Sequence, residues 1–251
     1  MTYGGEALSV SGLTCVADGR TVLDEATLNV AAGQRVALMG PSGAGKTTML
    51  TALAGLIAPA RGRILVRGVP LDAGPAAGRD LAIILQGYGL VSLLTAAENV
   101  EIALRAAGRP PGRAIPDAAA TLDRLGLAHL ADHLVDDLSG GQQQRVAVAR
   151  GIALSRAGIQ ARSGAEASTG AQDGTGARRR AGGRAVLLAD EPTAEQDPDH
   201  RAAILRELSA VAAEGTAVII ATHDPDVAAV CDRVVRITDA HLADDVPAPP
   251  R

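Results

Sequence analysis

The chain has 251 residues, 24 basic and 28 acidic, for a formal net charge of −4, with no Phe, no Trp and two Tyr. That length allows one large domain or two small ones with a real core, which must be built from Leu, Ile, Val and Ala. A net-acidic chain is not a polyanion binder, so no nucleic-acid partner is expected. Cys15 and Cys231 match no metal spacing and read as small hydrophobes in a reducing compartment. No apolar run approaches the roughly 18 residues of a membrane span, and MTYGGEALSV lacks the features of a signal peptide. The expected location is cytoplasmic, with any membrane association made through a partner.

In chain order, ALSVSGLTCV (7–16) and ATLNVA (26–31) read as strands around GRTVLD, a turn candidate at Gly19. GQRVALMG (33–40) is an apolar strand running into a glycine-rich stretch, and KTTMLTALAG (46–55) reads as a helix ending at Gly55. RILVRG (63–68) and LAIILQ (81–86) are further strands, the second continuously apolar like a strand buried on both faces. From about 95 to 153 the period turns helical. TAAENVEIALRAAG spaces Thr95 and Glu98 as a capping box, and PDAAATLDRLGL and SGGQQQRVAVARGIAL follow.

Residues 155–184 are rich in Gly, Ala, Ser, Thr and Arg, and only Ile159 is large and aliphatic. Six Arg stand there against Glu166 and Asp173. Such a stretch cannot offset its ordering entropy, so a solvated, disordered insertion is expected. A basic arm touching lipid headgroups or nucleic acid is the functional alternative. Strands return at AVLLAD (185–190), TAVIIAT (216–222) and RVVRI (233–237), with a helix over 200–215. This alternation predicts an α/β fold on a parallel sheet with right-handed crossovers.

Residues 40–47, GPSGAGKT, fit G-x-x-x-x-G-K-[ST] between a strand and a helix, the setting of a P-loop. Gly40, Pro41, Ser42, Gly43, Ala44, Gly45, Lys46, Thr47 and Thr48 are the candidate triphosphate cradle. Backbone N–H groups converge on the oxygens and the helix dipole adds to them. Lys46, the one lysine among 24 basic residues, would reach the β- and γ-phosphates, where a compact ammonium fits and a broad guanidinium does not. Thr47 would ligate Mg²⁺. In AVLLADE (185–191), Asp190 at the strand tip can hold Mg²⁺, and Glu191 can act as general base on the attacking water.

LSGGQQQR (138–145), upstream of AVLLADEPT, resembles the signature motif of ATP-binding-cassette (ABC) ATPases. The resemblance covers roughly 7–154 and 185–240. It implies a P-loop NTPase core (1–85 and 185–240) with an N-terminal antiparallel β subdomain, an inserted all-helical subdomain (86–154) and a flexible tail (241–251), all in one domain. It implies ATP hydrolysis with Mg²⁺ in a head-to-tail homodimer or heterodimer. Ser139, Gly140, Gly141 and Gln142 would then meet the γ-phosphate bound by the other subunit. Gln86 matches the Q-loop glutamine that senses Mg²⁺ and water, His223 the switch histidine, and Asp197 the D-loop aspartate. The other histidines, His129, His133, His200 and His241, match no such position and read as surface residues.

Three departures stand out. Gln196 replaces the leucine of the usual EPT-[SA]-x-L-D, a polar change at a packing site. The aromatic that stacks on adenine is missing, its slot falling on Ala17 or Val16, with Tyr3 and Tyr88 badly placed. The link from signature helix to acid-bearing strand, normally short, is long.

QGYGLVSLLTAAENVEIAL is similar to the Q-loop region of lipoprotein-release and macrolide-export ATPases, with Tyr88, Leu90 and Leu93 as candidates to grip the pore's coupling helix or as subdomain core. The implied function is the ATPase subunit of an export-type transporter, peripheral on the inner membrane face through a separate transmembrane permease. The alternative is a soluble ABC ATPase such as an iron–sulfur assembly factor.

Overall fold

The computed structural model describes residues 5–17, 19–72, 80–166 and 185–245. In the N-terminal segment, β1 (Glu6–Ala17) and β2 (Arg20–Ala31) form an antiparallel hairpin, with Ala17 opposite Arg20. The expected turn GRTVLD is therefore mostly strand. Leu23, Ala26, Leu28 and Val30 are buried, so one apolar face carries β2 through that stretch. β1 also pairs with β4 (Arg61–Val66), which pairs with β5 (Val69–Pro70), giving a sheet of order β2-β1-β4-β5.

The second sheet has the order β10-β9-β3-β8-β7-β6. Its strands are β3 (Arg35–Met39), β6 (Leu81–Ile84), β7 (Val186–Asp190), β8 (Ala217–Thr222), β9 (Arg233–Thr238) and β10 (His241–Asp245). All pairs but β9–β10 are parallel. β7 and β8 are buried along their whole length, as a parallel sheet covered on both faces requires. One face packs on α1 (Lys46–Leu53) and the hairpin sheet, joining Leu38 and Ile219 to Met49, Leu50, Leu8 and Leu28. The other packs on the helices, joining Ile84, Leu187 and Ile220 to Ile152 and Leu208. LAIILQ is buried on both faces as expected, Leu81 and Ile83 against the first cluster and Ala82 and Ile84 against the second, although β6 is an end strand of the described sheet.

The helical part holds α2 (Ala96–Ala106), α3 (Pro111–Arg124) and α4 (Gly140–Glu166). The capping box forms: Thr95 Oγ1 accepts from the Glu98 N–H, and the Glu98 carboxylate accepts from the Thr95 N–H. Buried Asn99 ties α2 to the preceding loop, accepting from the Val91 N–H and donating to the Val91, Leu94 and Thr95 carbonyls. α5 (Pro198–Ala213) and the short α6 (Pro225–Ala229) complete the described α-helices, and two 3-10 turns, Ala128–Leu130 and Val135–Asp137, lie between α3 and α4.

Two expectations need correction. The insertion expected as disordered from 155 is helical through Glu166. Small residues let it continue: Ser155 is fully buried and donates to the Gly151 carbonyl at 2.9 Å, and Ala157 is buried. Arg156 bridges Glu207 and Glu214 at 2.8 and 3.1 Å. Residues 167–184 lie outside the described residues, as does Tyr3. The tail expected to be flexible from 241 begins as β10, paired with β9 and pinned by Arg233 on Asp244 at 2.6 Å; 246–251 lie outside the described residues. Both cysteines are free, and burial pushes the Cys231 thiol up to about 12, as suits an inert core group.

α4 crosses the sheet closely at Gly151, where a Cβ would overlap Ile84 Cγ1 and lie 2.9 Å from its Cδ1. Gly151→Ala, favourable by helix propensity alone, should instead destabilise the fold by about 1–3 kcal/mol through overpacking. Denaturant unfolding of the two proteins checks this, and an unchanged or raised midpoint overturns it.

Candidate functional site

β3 ends at Met39, and the chain turns through 40–45 into α1. Gly43 and Gly45 hold left-handed φ of 81° and 97°, and a Cβ on Gly45 would sit 2.9 Å from the Val22 carbonyl oxygen. Glycine is therefore needed here both for the turn and for the close approach of the hairpin. No side chain caps α1, so its first N–H groups are left for an anion. Lys46 is 9% exposed. Its ammonium folds back over the loop and donates to the Gly40 and Pro41 carbonyls at 2.7 and 3.1 Å. A pocket of about 460 Å³ lies against this loop, lined by Gly43, Gly45, Lys46, Thr47 and Thr48 on one side and by Ala17, Arg20 and Val22 of the hairpin on the other.

The acid pair stands at the end of β7. Thr47 Oγ1 donates to Asp190 Oδ2 at 2.7 Å. Burial raises the Asp190 carboxyl above its usual range, with Glu191 adding to the rise and the Thr47 hydrogen bond and Lys46 opposing it. Glu191 follows at φ 45°, a left-handed conformation that a non-glycine residue keeps only when its surroundings hold it. Its N–H donates to the Ala221 carbonyl at 2.9 Å. Its carboxylate accepts from Thr222 Oγ1 at 3.2 Å and from the His223 N–H at 3.1 Å. It also lies 2.7 Å from His223 Nδ1, which must carry a hydrogen to donate to a carboxylate. The His223 side chain is 71% exposed.

Lys46, Thr47, Asp190, Glu191 and His223 thus meet at one end of the sheet. Gln86 does not join them: it is exposed in the turn after β6 and makes no hydrogen bond within the described residues. Its loop is held from α4, where Arg150 donates to the Tyr88 and Gly89 carbonyls, the first at 2.6 Å. Leu90 packs into the helical core, whereas Leu93 is 86% exposed.

At the start of α4, Ser139 and Gln142 cap each other. The Ser139 N–H donates to Gln142 Oε1 at 2.8 Å and Ser139 Oγ accepts from the Gln142 N–H at 3.4 Å. Gly140 and Gly141 follow Ser139, and no hydrogen bond joins this helix start to the phosphate loop among the described residues. Asp197 caps α5 through the His200 N–H at 3.0 Å and lies 2.5 Å from His200 Nδ1. Those two bonds from His200 hold the Asp197 carboxyl below its usual range. His200 is thus tied to a motif residue, a role its sequence position does not signal.

Gln196, polar where leucine is usual, donates from Nε2 to the Gly141 carbonyl at 2.9 Å and to Gln144 Oε1 at 3.1 Å. Gln144, 3% exposed, donates to the Glu191 carbonyl at 2.6 Å. Sequence spacing carries no trace of that contact, because the two loops are separated by more than 40 residues.

Among solved structures, the chain resembles the ATP-binding cassette MJ0796, seen as a dimer in a post-hydrolysis state bound to ADP and Pi, at TM-score 0.77 and 26% identity, covering 95% of this chain and 97% of that one. It is 36% identical to the lipoprotein-releasing system ATP-binding protein LolD of Maricaulis maris, over 90% of each chain. It is 37% identical to the macrolide export ATP-binding/permease protein MacB of Chromobacterium violaceum, over 93% of this chain and 33% of that one. It spans 62% of the length of mycobacterial ABC transporter ATP-binding proteins, themselves uncharacterized, that are 36% identical to it. With residues 23–158 matching the ABC transporter family, the chain belongs to that family as one of its ATP-binding cassettes.

Proposed function

We propose that this chain binds and hydrolyses ATP with Mg²⁺ and so powers a membrane transporter, as a head-to-tail dimer in which each nucleotide lies between the phosphate loop of one copy and the signature loop of the other. The observation that carries this is the 2.7 Å bond from Thr47 to buried Asp190, beside a Glu191 carboxylate held on Thr222 and His223. Phosphate cradle, metal-holding acid and proton acceptor are then in reach of one triphosphate.

The phosphates enter on the α1 N-terminus, and the Lys46 ammonium exchanges its two loop carbonyls for β- and γ-oxygens. The Thr47 hydroxyl and the Asp190 carboxylate fit Mg²⁺, which takes one or two carboxylates and completes its shell with phosphate and water oxygens. Among the described residues no cluster of three His, Cys, Asp or Glu offers a cage of protein ligands instead. Held by Thr47 and Asp190, the ion would supply positive charge to offset that of the phosphates. Glu191 takes a proton from water as the water oxygen bonds to the γ-phosphorus and the bond to the bridging oxygen breaks, releasing ADP and phosphate. His223 and Thr222 keep that carboxylate aimed. Gln86 enters when its loop moves inward. Ser139, Gly140, Gly141 and Gln142 serve the other copy's γ-phosphate, and the exposed Asp197 faces that copy.

The named relatives are transporter proteins, which favours this reading over a soluble role such as iron–sulfur assembly. Likeness to LolD and MacB supports an export or extrusion type. A separate permease rests on the LolD likeness, since MacB joins ATP-binding and permease in one name. The described helices include none long and apolar enough to cross a membrane. The chain would work on the cytoplasmic face, with Tyr88 and exposed Leu93 offered to the permease.

Glu191→Gln should lower ATP turnover by about 10²–10⁴-fold and leave an ATP-bound dimer visible by gel filtration; wild-type turnover overturns the general-base role. Lys46→Arg should lose nearly as much ATPase activity as Lys46→Ala, because two carbonyls 2.7 and 3.1 Å from Nζ enclose a point charge. Near-normal activity would sink that idea. With Ala17 where a ring would stack, ATP and GTP should bind within about threefold of each other, and Ala17→Tyr should strengthen ATP binding about fivefold, the worth of a stack near 1 kcal/mol. Calorimetric titration checks both, and strongly adenine-selective binding by the unaltered chain overturns them.

A further inference from the structure

We propose that Gln196 and Gln144 form an amide relay that ties the signature loop to the general base within one chain. The loop serving the second copy's nucleotide and the carboxylate serving the chain's own nucleotide then shift together. The relay rests on the head-to-tail dimer reading above.

The contacts form an unbroken line. Gln196 Nε2 donates to the Gly141 carbonyl at 2.9 Å and to Gln144 Oε1 at 3.1 Å, with the Ala194 carbonyl a longer third acceptor at 3.4 Å. Gln144 then donates from Nε2 to the Glu191 carbonyl at 2.6 Å. Each amide has one workable orientation, since flipping either would set acceptor against acceptor. Leucine at 196 fills space but donates nothing, so the usual residue breaks the line in its middle.

Both ends of the line are places where a small shift matters. Glu191 and Glu195 hold left-handed φ of 45° and 58° on either side of the turn between them. The Glu191 carbonyl accepts from Gln144 and from the Ala194 N–H at 3.1 Å, and those bonds hold a strained peptide that aims the carboxylate. At the other end, a Cβ on Gly141 would lie 3.1 Å from the Glu195 carbonyl oxygen and 3.3 Å from Gln196 Nε2. The signature loop therefore sits directly on the turn that follows Glu191, and a phosphate drawing Gly141 away must either pull Gln196 along or break its bond. Gln144 and Gln196 are positioning residues: they act through Glu191 and Gly141.

The test uses the full chain with Gln196→Leu, Gln196→Glu, Gln144→Leu and the double Gln144→Leu/Gln196→Leu. Each is followed by ATPase rate against ATP concentration and by thermal melting. Gln196→Leu should lower kcat about tenfold, the low end for a displaced reacting group, and bring the Hill coefficient from above 1 to 1, with KM changed less than about twofold. Gln196→Glu keeps the length and removes the donors, so it should do the same and covers any misfolding of the leucine variant. The double variant should be no worse than either single one, because one line is already broken. Wild-type kcat and Hill coefficient in Gln196→Leu and Gln196→Glu overturn the relay, as do losses that multiply in the double variant. Gel filtration of Glu191→Gln with ATP separates the two readings: if it forms no dimer, the dimer reading falls and the relay with it. If it does, and Gln196→Leu added to it dimerises at the same ATP concentration with unaltered kinetics in the parent chain, the relay alone falls.

Discussion

Parallel pairing sets Met39 beside Thr222 and Ala221 beside Asp190, and the charged groups of the site stand where that alignment leaves them. β3, β8 and β7 are neighbours and end at nearly one level. The residues just past their ends are the phosphate loop, His223 and Glu191. None of these needs a long tether, because fully buried strands place the loop starts within hydrogen-bonding reach of one another. The buried apolar side chains of the described sheet are Val, Leu, Ile and Ala with Met39, and the chain has no Phe or Trp. A core of small aliphatic groups brings helix and strand close, which is why α4 meets Ile84 through Gly151 and not through a larger residue.

The helical part is joined to that sheet partly by apolar packing and partly by polar ties. Arg150 holds the Tyr88 and Gly89 carbonyls, and the two glutamine amides hold the turn after Glu191. The distinction is physical. Buried apolar area resists separation over its whole extent, while a hydrogen bond exchanged for one to water changes stability by only about 1 kcal/mol. The loop after β6 and the turn after Glu191 are thus fixed in direction but cheap to re-seat, whereas β7 and β8 are not. Gln86, exposed and unbonded within the described residues, lies on a loop of the first kind.

Much of this was legible in the sequence, for identifiable reasons. The phosphate loop, the apolar strands and the Thr95–Glu98 cap are local, and local patterns carry their own geometry. The failures turn on pairing and packing that local composition does not carry. GRTVLD has turn composition, yet β1 pairs along it and forces it straight. Residues 155–166 hold a single large aliphatic, Ile159, yet a helix that already leans on α5 continues through them, with Ser155 and Ala157 buried and Arg156 paired to two glutamates. Gln196 reads as damage to a packing position until Gly141 and Gln144 are found beside it. In the last two cases the deciding partner is far along the chain: Arg156 is 51 residues from Glu207 and Gln196 is 55 from Gly141.

The use of arginine and lysine closes the argument at the site itself. Arg35 lays its fork on Asp232, with Nε and Nη2 at 3.2 and 2.7 Å from the two oxygens. Arg156 spans two glutamates and Arg150 two successive carbonyls. These acceptors are spread across a plane, which is what a guanidinium matches. At position 46 the acceptors are two successive loop carbonyls that converge on one nitrogen, and the group is 9% exposed. A planar fork cannot put its charge at a single point without thrusting a nitrogen into the loop wall. The chain's one lysine therefore falls where its acceptors are convergent, and phosphate oxygens in the same place would present the same convergent demand.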